Sequence, residues 1–145
     1  MVIDRISEAL FPGDGDGETH ASRLSPEEGA AGLLIEAAQR EGGLTEVERD
    51  LVDAALMKLF LLTNPKAKAL RVEAEAAQVK SATAMGFAAA AKALPPDQRE
   101  QLVTHLWAVA DSDGSNSAME RELMGTVETV FGLTRERVRA LRAAS

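Results

Sequence analysis

The sequence predicts an all-α protein: one compact bundle of about seven helices built on a duplicated helix-loop-helix unit. Three observations lead there. Apolar residues recur at helical spacing, and no segment sustains the apolar–polar alternation of a strand. Helix start signals punctuate the chain from Ser25 to Thr134. One helix–loop–helix pattern occurs twice, and two copies suit a closed pseudo-symmetric bundle better than an open solenoid.

The chain divides into residues 1–23 and a helical domain over 24–145. In MVIDRISEALF, Val2, Ile6, Ala9 and Leu10 recur at helical spacing, which predicts a short amphipathic helix. It would dock on the same protein, on another subunit or on a membrane surface, and its acids disfavour an anionic membrane. Pro12–Arg23, PGDGDGETHASR, reads as a mobile linker. Its Asp14, Asp16 and Glu18 offer carboxylates, but a glycine-rich run loses much entropy on ordering around a cation.

Ser25-Pro26-Glu27-Glu28 starts the first domain helix, with Ser25 as N-cap, Pro26 at the first helical position and Glu28 closing a capping box. Residues 30–38 are apolar nearly all round, so this helix belongs at the centre. Thr45 and Glu48 start a second helix, with Val47, Leu51, Ala55 and Leu59 on its inner face. Asn64-Pro65 ends it and caps a third, and Ser81 begins a fourth. Asp97 with Glu100 starts a fifth, and Ser117 with Glu120 a sixth, which ends at Gly132. Thr134 caps a seventh, with Val138 and Leu141 inward. The expected core is Leu34, Ala38, Leu51, Ala55, Leu59, Leu106, Val109, Ala110, Leu123, Val127 and Phe131.

Composition excludes several functions. There is no Cys, so disulfides, thiol nucleophiles and Cys-ligated zinc are absent. A net charge of -7 and only one Trp, four Phe and no Tyr disfavour nucleic acid. They favour cations or a protein partner with a basic surface. No apolar run approaches the length of a membrane span, and no signal peptide is evident, so a cytoplasmic location is expected. His20 and His105 form no metal pair, and His105 reads as a packing residue. No nucleophile elbow, P-loop or dinucleotide fingerprint occurs. Arg135, Arg139 and Arg142 share a helix face and would pair with acids elsewhere or with a partner. Homo-oligomerisation is left open.

The repeat is legible residue by residue. Glu48-Arg49-Asp50-Leu51 returns 72 residues later as Glu120-Arg121-Glu122-Leu123. At that offset Leu34 meets Leu106, Ala38 meets Ala110, Glu41-Gly42 meets Asp113-Gly114, Thr45 meets Ser117 and Leu59 meets Phe131.

Asp113-Gly114 with Glu120 seven residues on, preceded by Leu106-Trp107-Ala108-Val109-Ala110, resembles the signature of the TerB-like family. That family includes tellurite-resistance TerB and the N-terminal domain of the DjlA co-chaperone. The likeness runs over about residues 24–142 and takes in the middle helix with Phe87 and the closing Gly132-Leu133. It implies an all-helical fold, an acidic surface, divalent-cation binding and a place in stress or membrane-associated complexes. It implies no enzyme activity. The first copy departs from the pattern, with Arg40-Glu41-Gly42 in place of Ala-Asp-Gly and Gln39 opposite Asp111.

The loop ADSDGSNSAMERE (110–122) has two readings. It fails as an EF-hand, because the glycine falls at position 4 rather than 6 and the Ser117–Glu120 capping box would start a helix midway. As a helix stop and start it needs only Gly114, Ser117 and Glu120. As a hard-cation site its ligands are Asp111, Asp113, Glu120 and Glu122, with Glu41 and Glu48 as the weaker equivalents. An oxygen-only set of this kind suits Ca²⁺ or Mg²⁺. The functional expectation is a non-enzymatic interaction module with an acidic face. A divalent-cation sensor is the alternative, and a metal-dependent enzyme using the carboxylate cluster is the third.

Overall fold

A computed structural model describes residues 24–39, 43–112 and 118–144, with side chains throughout except at 118–120. Seven helices form: α1 (Pro26–Ala38), α2 (Glu46–Phe60), α3 (Asn64–Val79), α4 (Ala84–Ala91), α5 (Pro96–Ala110), α6 (Ala118–Phe131) and α7 (Arg135–Ala143). No strand occurs among the described residues. The fold is all-α, as expected. The N-terminal segment and the linker lie outside the described residues.

α1 is the axis of the bundle. Ala30, Ala31, Leu33, Leu34, Ile35 and Ala37 are fully buried, and the helix touches α2, α3, α4, α5 and α6. Its start is the expected capping box: the Glu28 amide donates to Ser25 Oγ at 3.0 Å, and the Ser25 amide to Glu28 Oε1 at 2.8 Å. Such a cap is worth about 1 kcal/mol. Two glycines let α4 come close. A Cβ on Gly29 would lie 2.5 Å from the carbonyl oxygen of Phe87, and a Cβ on Gly32 would enter the Phe87 ring.

α2 also starts as expected, with Glu48 donating its amide to Thr45 Oγ1 at 3.2 Å and the Thr45 amide donating to Glu48 Oε1 at 2.8 Å. Its inner face differs from the expected one. Leu51 is 36% exposed and Val47 71%, while Val52, Ala55, Leu56 and Leu59 are buried. The buried set keeps helical spacing but is turned by one residue, and it carries Asp53 inside at 2% exposure. Every other expected core residue is buried.

Three helix starts also differ. Thr63, not Asn64, is the N-cap of α3, and Asn64 Nδ2 points back to Met57 Sδ at 3.6 Å. Ser81 has φ of 85° and belongs to the turn after α3, whereas Thr83 caps α4 by accepting from the Gly86 amide at 3.1 Å. Pro95 occupies the N-cap of α5 without a side-chain bond, and Pro96 opens the helix with a favourable φ and no donor to satisfy. Glu100 is thereby released from capping and pairs with Arg137 on α7. The expected Ser117–Glu120 box lies outside the described side chains. Gly132 ends α6 with φ of 69°, and Thr134 caps α7 by accepting from the Arg137 amide at 3.1 Å.

The repeat is real in burial. Leu34 and Leu106 are both 0% exposed, Ala38 and Ala110 are 2% and 1%, and α1 and α5 stop at that same repeat position. The symmetry breaks at Leu51 and Leu123, of which only Leu123 is buried. It also extends one helix further than the repeated sequence. α3 packs against α1, and α7 against α5.

Candidate functional site

The acidic loop is bracketed by Asp111 and Glu122. Asp111 is the C-cap of α5, and Ser112 Oγ donates to the carbonyl of Val109 at 2.8 Å. The Asp111 carboxylate faces Arg142: Nη2 lies 3.0 Å from Oδ1 and Nε 3.3 Å from Oδ2. The same guanidinium stacks 4.0 Å from the centre of the Trp107 ring. Arg142 therefore ties the end of α7 to the end of α5, which is the pairing with an acid foreseen for the arginine stripe.

Of the other candidate ligands, only Glu48 and Glu122 have described side chains. Glu122 is exposed on α6. Glu48 is committed to the cap of α2 through Thr45. Asp113 and Glu41, and the side chain of Glu120, lie outside the described residues. Among the described residues no three acidic or histidine side chains gather into a metal-sized group. A cation at Asp111 would have to displace or share its carboxylate with Arg142.

Gln39, the repeat partner of Asp111, occupies the corresponding C-cap of α1. It accepts from Gln78 Nε2 of α3 at 3.0 Å, and the same nitrogen donates to Glu36 at 2.6 Å. A neutral amide pair thus stands in the first copy where an ion pair stands in the second.

A buried polar centre lies between α2 and α3, which sequence reasoning missed. Arg71 Nε donates to Asp53 Oδ1 at 2.7 Å, and Nη1 to Glu75. Burial works against the charge on Arg71, but the bonds to Asp53 and Glu75 outweigh it and raise its pKa above the ordinary value. The signal was present in the sequence: with Val52, Leu56 and Leu59 as the inner stripe, Asp53 falls beside it, and only a buried partner makes that tolerable.

Among the described residues α2 presents an outer apolar stripe that no other helix covers. Exposed Val47 and Leu51 stand one turn apart, flanked by exposed Glu46 and Asp50. Beside them a groove of about 150 Å³ runs between α2 and α5, lined by Leu51, Ala54, Ala55, Lys58, His105, Ala108 and Val109. His105 is half-buried there, and burial followed by the nearby Lys58 charge holds its pKa below 6.5. No described helix is long and apolar enough to cross a membrane.

No curated protein and no solved structure matches the chain. The family model for tellurite resistance protein TerB does match, over residues 27–143, which takes in all seven helices apart from the first residue of α1. With the central α1, the duplicated unit and Phe87 buried against Gly32, this chain belongs to the TerB family.

Proposed function

We propose that this TerB-family domain is a non-enzymatic interaction module, whose α2 face and adjoining groove dock a basic amphipathic segment of a protein partner. The observation that carries the reading is the outward Val47–Leu51 stripe. Those positions have the sequence character of core, yet they stand exposed between Glu46 and Asp50. An apolar strip rimmed by carboxylates favours an apolar helix face with lysines or arginines at its edges. The module would serve a tellurite-resistance type of stress response or a membrane-associated complex.

Affinity capture from the native cell tests it, comparing the wild type with Val47→Asp combined with Leu51→Asp. The expected result is a basic partner retained by the wild type and lost by the variant. An unchanged set of captured proteins would refute the α2 face.

The sequence of the loop at 110–122 favours a second reading, a Ca²⁺ or Mg²⁺ sensor, through the oxygen donors Asp111, Asp113, Glu120 and Glu122. A native-selective ion at 100 times its dissociation constant stabilises by about 2.7 kcal/mol. Melting curves at fixed ionic strength should then shift by several degrees, and Asp111→Ala with Asp113→Ala should abolish the shift. Equal shifts in both proteins would remove the cation reading.

A further inference from the structure

α3 has two faces, and the fold uses one of them. It packs on α1 and α2, with Ala67, Arg71, Ala74 and Ala77 buried. The opposite face carries Pro65, Ala69, Val72, Ala76 and Val79, at alternating steps of four and three residues. All five are exposed among the described residues, Val72 at 55% and Val79 at 86%. Half-buried Leu62 continues the same spacing just before the helix. Alternating steps of four and three keep side chains in one seam, the pattern by which two helices interlock. An outer face with water as its only neighbour would carry charges at these positions instead.

The charges stand beside the seam. Lys66 and Glu73 lie on one flank, both exposed, and neither forms an ion pair among the described residues. About 10 Å of helix axis separates them, too far for a bond within α3. The positions that could pair with them inside the helix, four after Lys66 and four before Glu73, are Leu70 and Ala69. On the other flank Glu75 is already taken by Arg71.

A second α3 laid antiparallel over the first satisfies the seam and the charges together. With Ala69 opposite Val72 of the second copy, a two-fold axis passes between Leu70 and Arg71. Val72 then fills the space over Ala69, Pro65 lies over Ala76, and Leu62 over Val79. The same register brings Lys66 of each copy to Glu73 of the other. The helix dipoles oppose one another, which favours the pairing. A parallel pairing in register would stack Ala69 on Ala69 and align the dipoles.

We propose that α3 is the interface of a two-fold dimer of this chain, with the two helices antiparallel along residues 65–79. A pair of helices of 16 residues buries an area at the low end of specific interfaces, so the dimer forms in a concentration-dependent balance with the monomer. The inference is independent of the α2 face, because Val47 and Leu51 take no part in it.

Sedimentation equilibrium of the full chain tests it, with thermal melting by circular dichroism to show that each variant folds. The wild type should show a monomer–dimer equilibrium. Val72→Asp should leave only monomer, because pairing would press two carboxylates into the seam. Val72 is exposed, so that variant should remain folded. Lys66→Glu should weaken the dimer by about tenfold, since two attractive contacts become repulsive. Adding Glu73→Lys should restore it, because the pair is then reversed across the two-fold axis. A wild type that is monomeric at every concentration overturns the proposal. So does a dimer that survives Val72→Asp, or a loss in Lys66→Glu that Glu73→Lys does not rescue. A dimer broken by Val47→Asp with Leu51→Asp would put the interface on α2 and overturn it as well.

Discussion

Arg142 clamps Asp111 from 31 residues away and lays its guanidinium 4.0 Å over the Trp107 ring. The end of α7, the end of α5 and the start of the acidic loop are thereby one mechanical unit. Both ionic side chains remain partly exposed, at 43% and 38%, so solvent screens the pair. Arg142→Ala should cost about 1 kcal/mol, the sum of a modest ion pair and a cation–π contact. Arg142→Lys should recover only part, since lysine lacks the planar fork. Chemical denaturation with Trp107 fluorescence measures both, and a loss insensitive to salt would show that the ion pair contributes nothing.

The buried pair of Asp53 and Arg71 should behave differently from that surface clamp. Removing one partner by Asp53→Ala leaves Arg71 buried with only Glu75, and should cost about 3 kcal/mol. Asp53→Leu with Arg71→Met should recover most of it, because the desolvation penalty disappears with the charges. Urea midpoints of the single and double variants decide the matter. Equal losses in both would mean that the ion pair itself, rather than the orphaned charge, carries the stability.

Gly32 is required by contact rather than by backbone conformation. Its missing side chain is the space that the Phe87 ring fills. Gly32→Ala should cost about 1–3 kcal/mol through overpacking. Adding Phe87→Leu should offset part of that cost by shrinking the neighbour. A melting temperature unchanged in Gly32→Ala would show that α1 and α4 slide apart freely.

His105 gives stability a pH dependence of definite sign. Burial and Lys58 lower its folded pKa below the ordinary 6.5, so the folded protein favours the neutral ring. Between the two pKa values the unfolded chain binds more protons, and stability rises with pH. The contribution is complete above about pH 6.5 and is lost as pH falls through the folded pKa. Comparing urea midpoints at pH 5, 6 and 7.5 for the wild type and His105→Gln checks it. The variant should show a flatter profile, and identical slopes would place the titration elsewhere.

Much of the fold follows from local chemistry that any reader of the chain can apply. Ser25–Glu28 and Thr45–Glu48 close their capping boxes because both partners lie within one turn. Gly132 ends α6 because a positive φ costs glycine little. The 72-residue repeat foretold that Leu34 and Leu106 would share an environment, and both are buried. The family likeness was carried by the same short motif, and the family match confirms it.

What the sequence alone did not determine is how each helix is turned about its axis. Val47, Leu51, Ala55 and Leu59 and the observed set Val52, Ala55, Leu56 and Leu59 both satisfy helical spacing. Choosing between them requires knowing that Arg71 waits on α3 to receive Asp53. The partners of the acidic loop are equally non-local. Asp111 looks like a free carboxylate until α7 folds back and brings Arg142 onto it. Caps and helix stops depend on neighbours a few residues away, and the sequence carries them. Ion pairs between helices and the exposure of Leu51 depend on where distant helices come to lie, and only tertiary packing decides that.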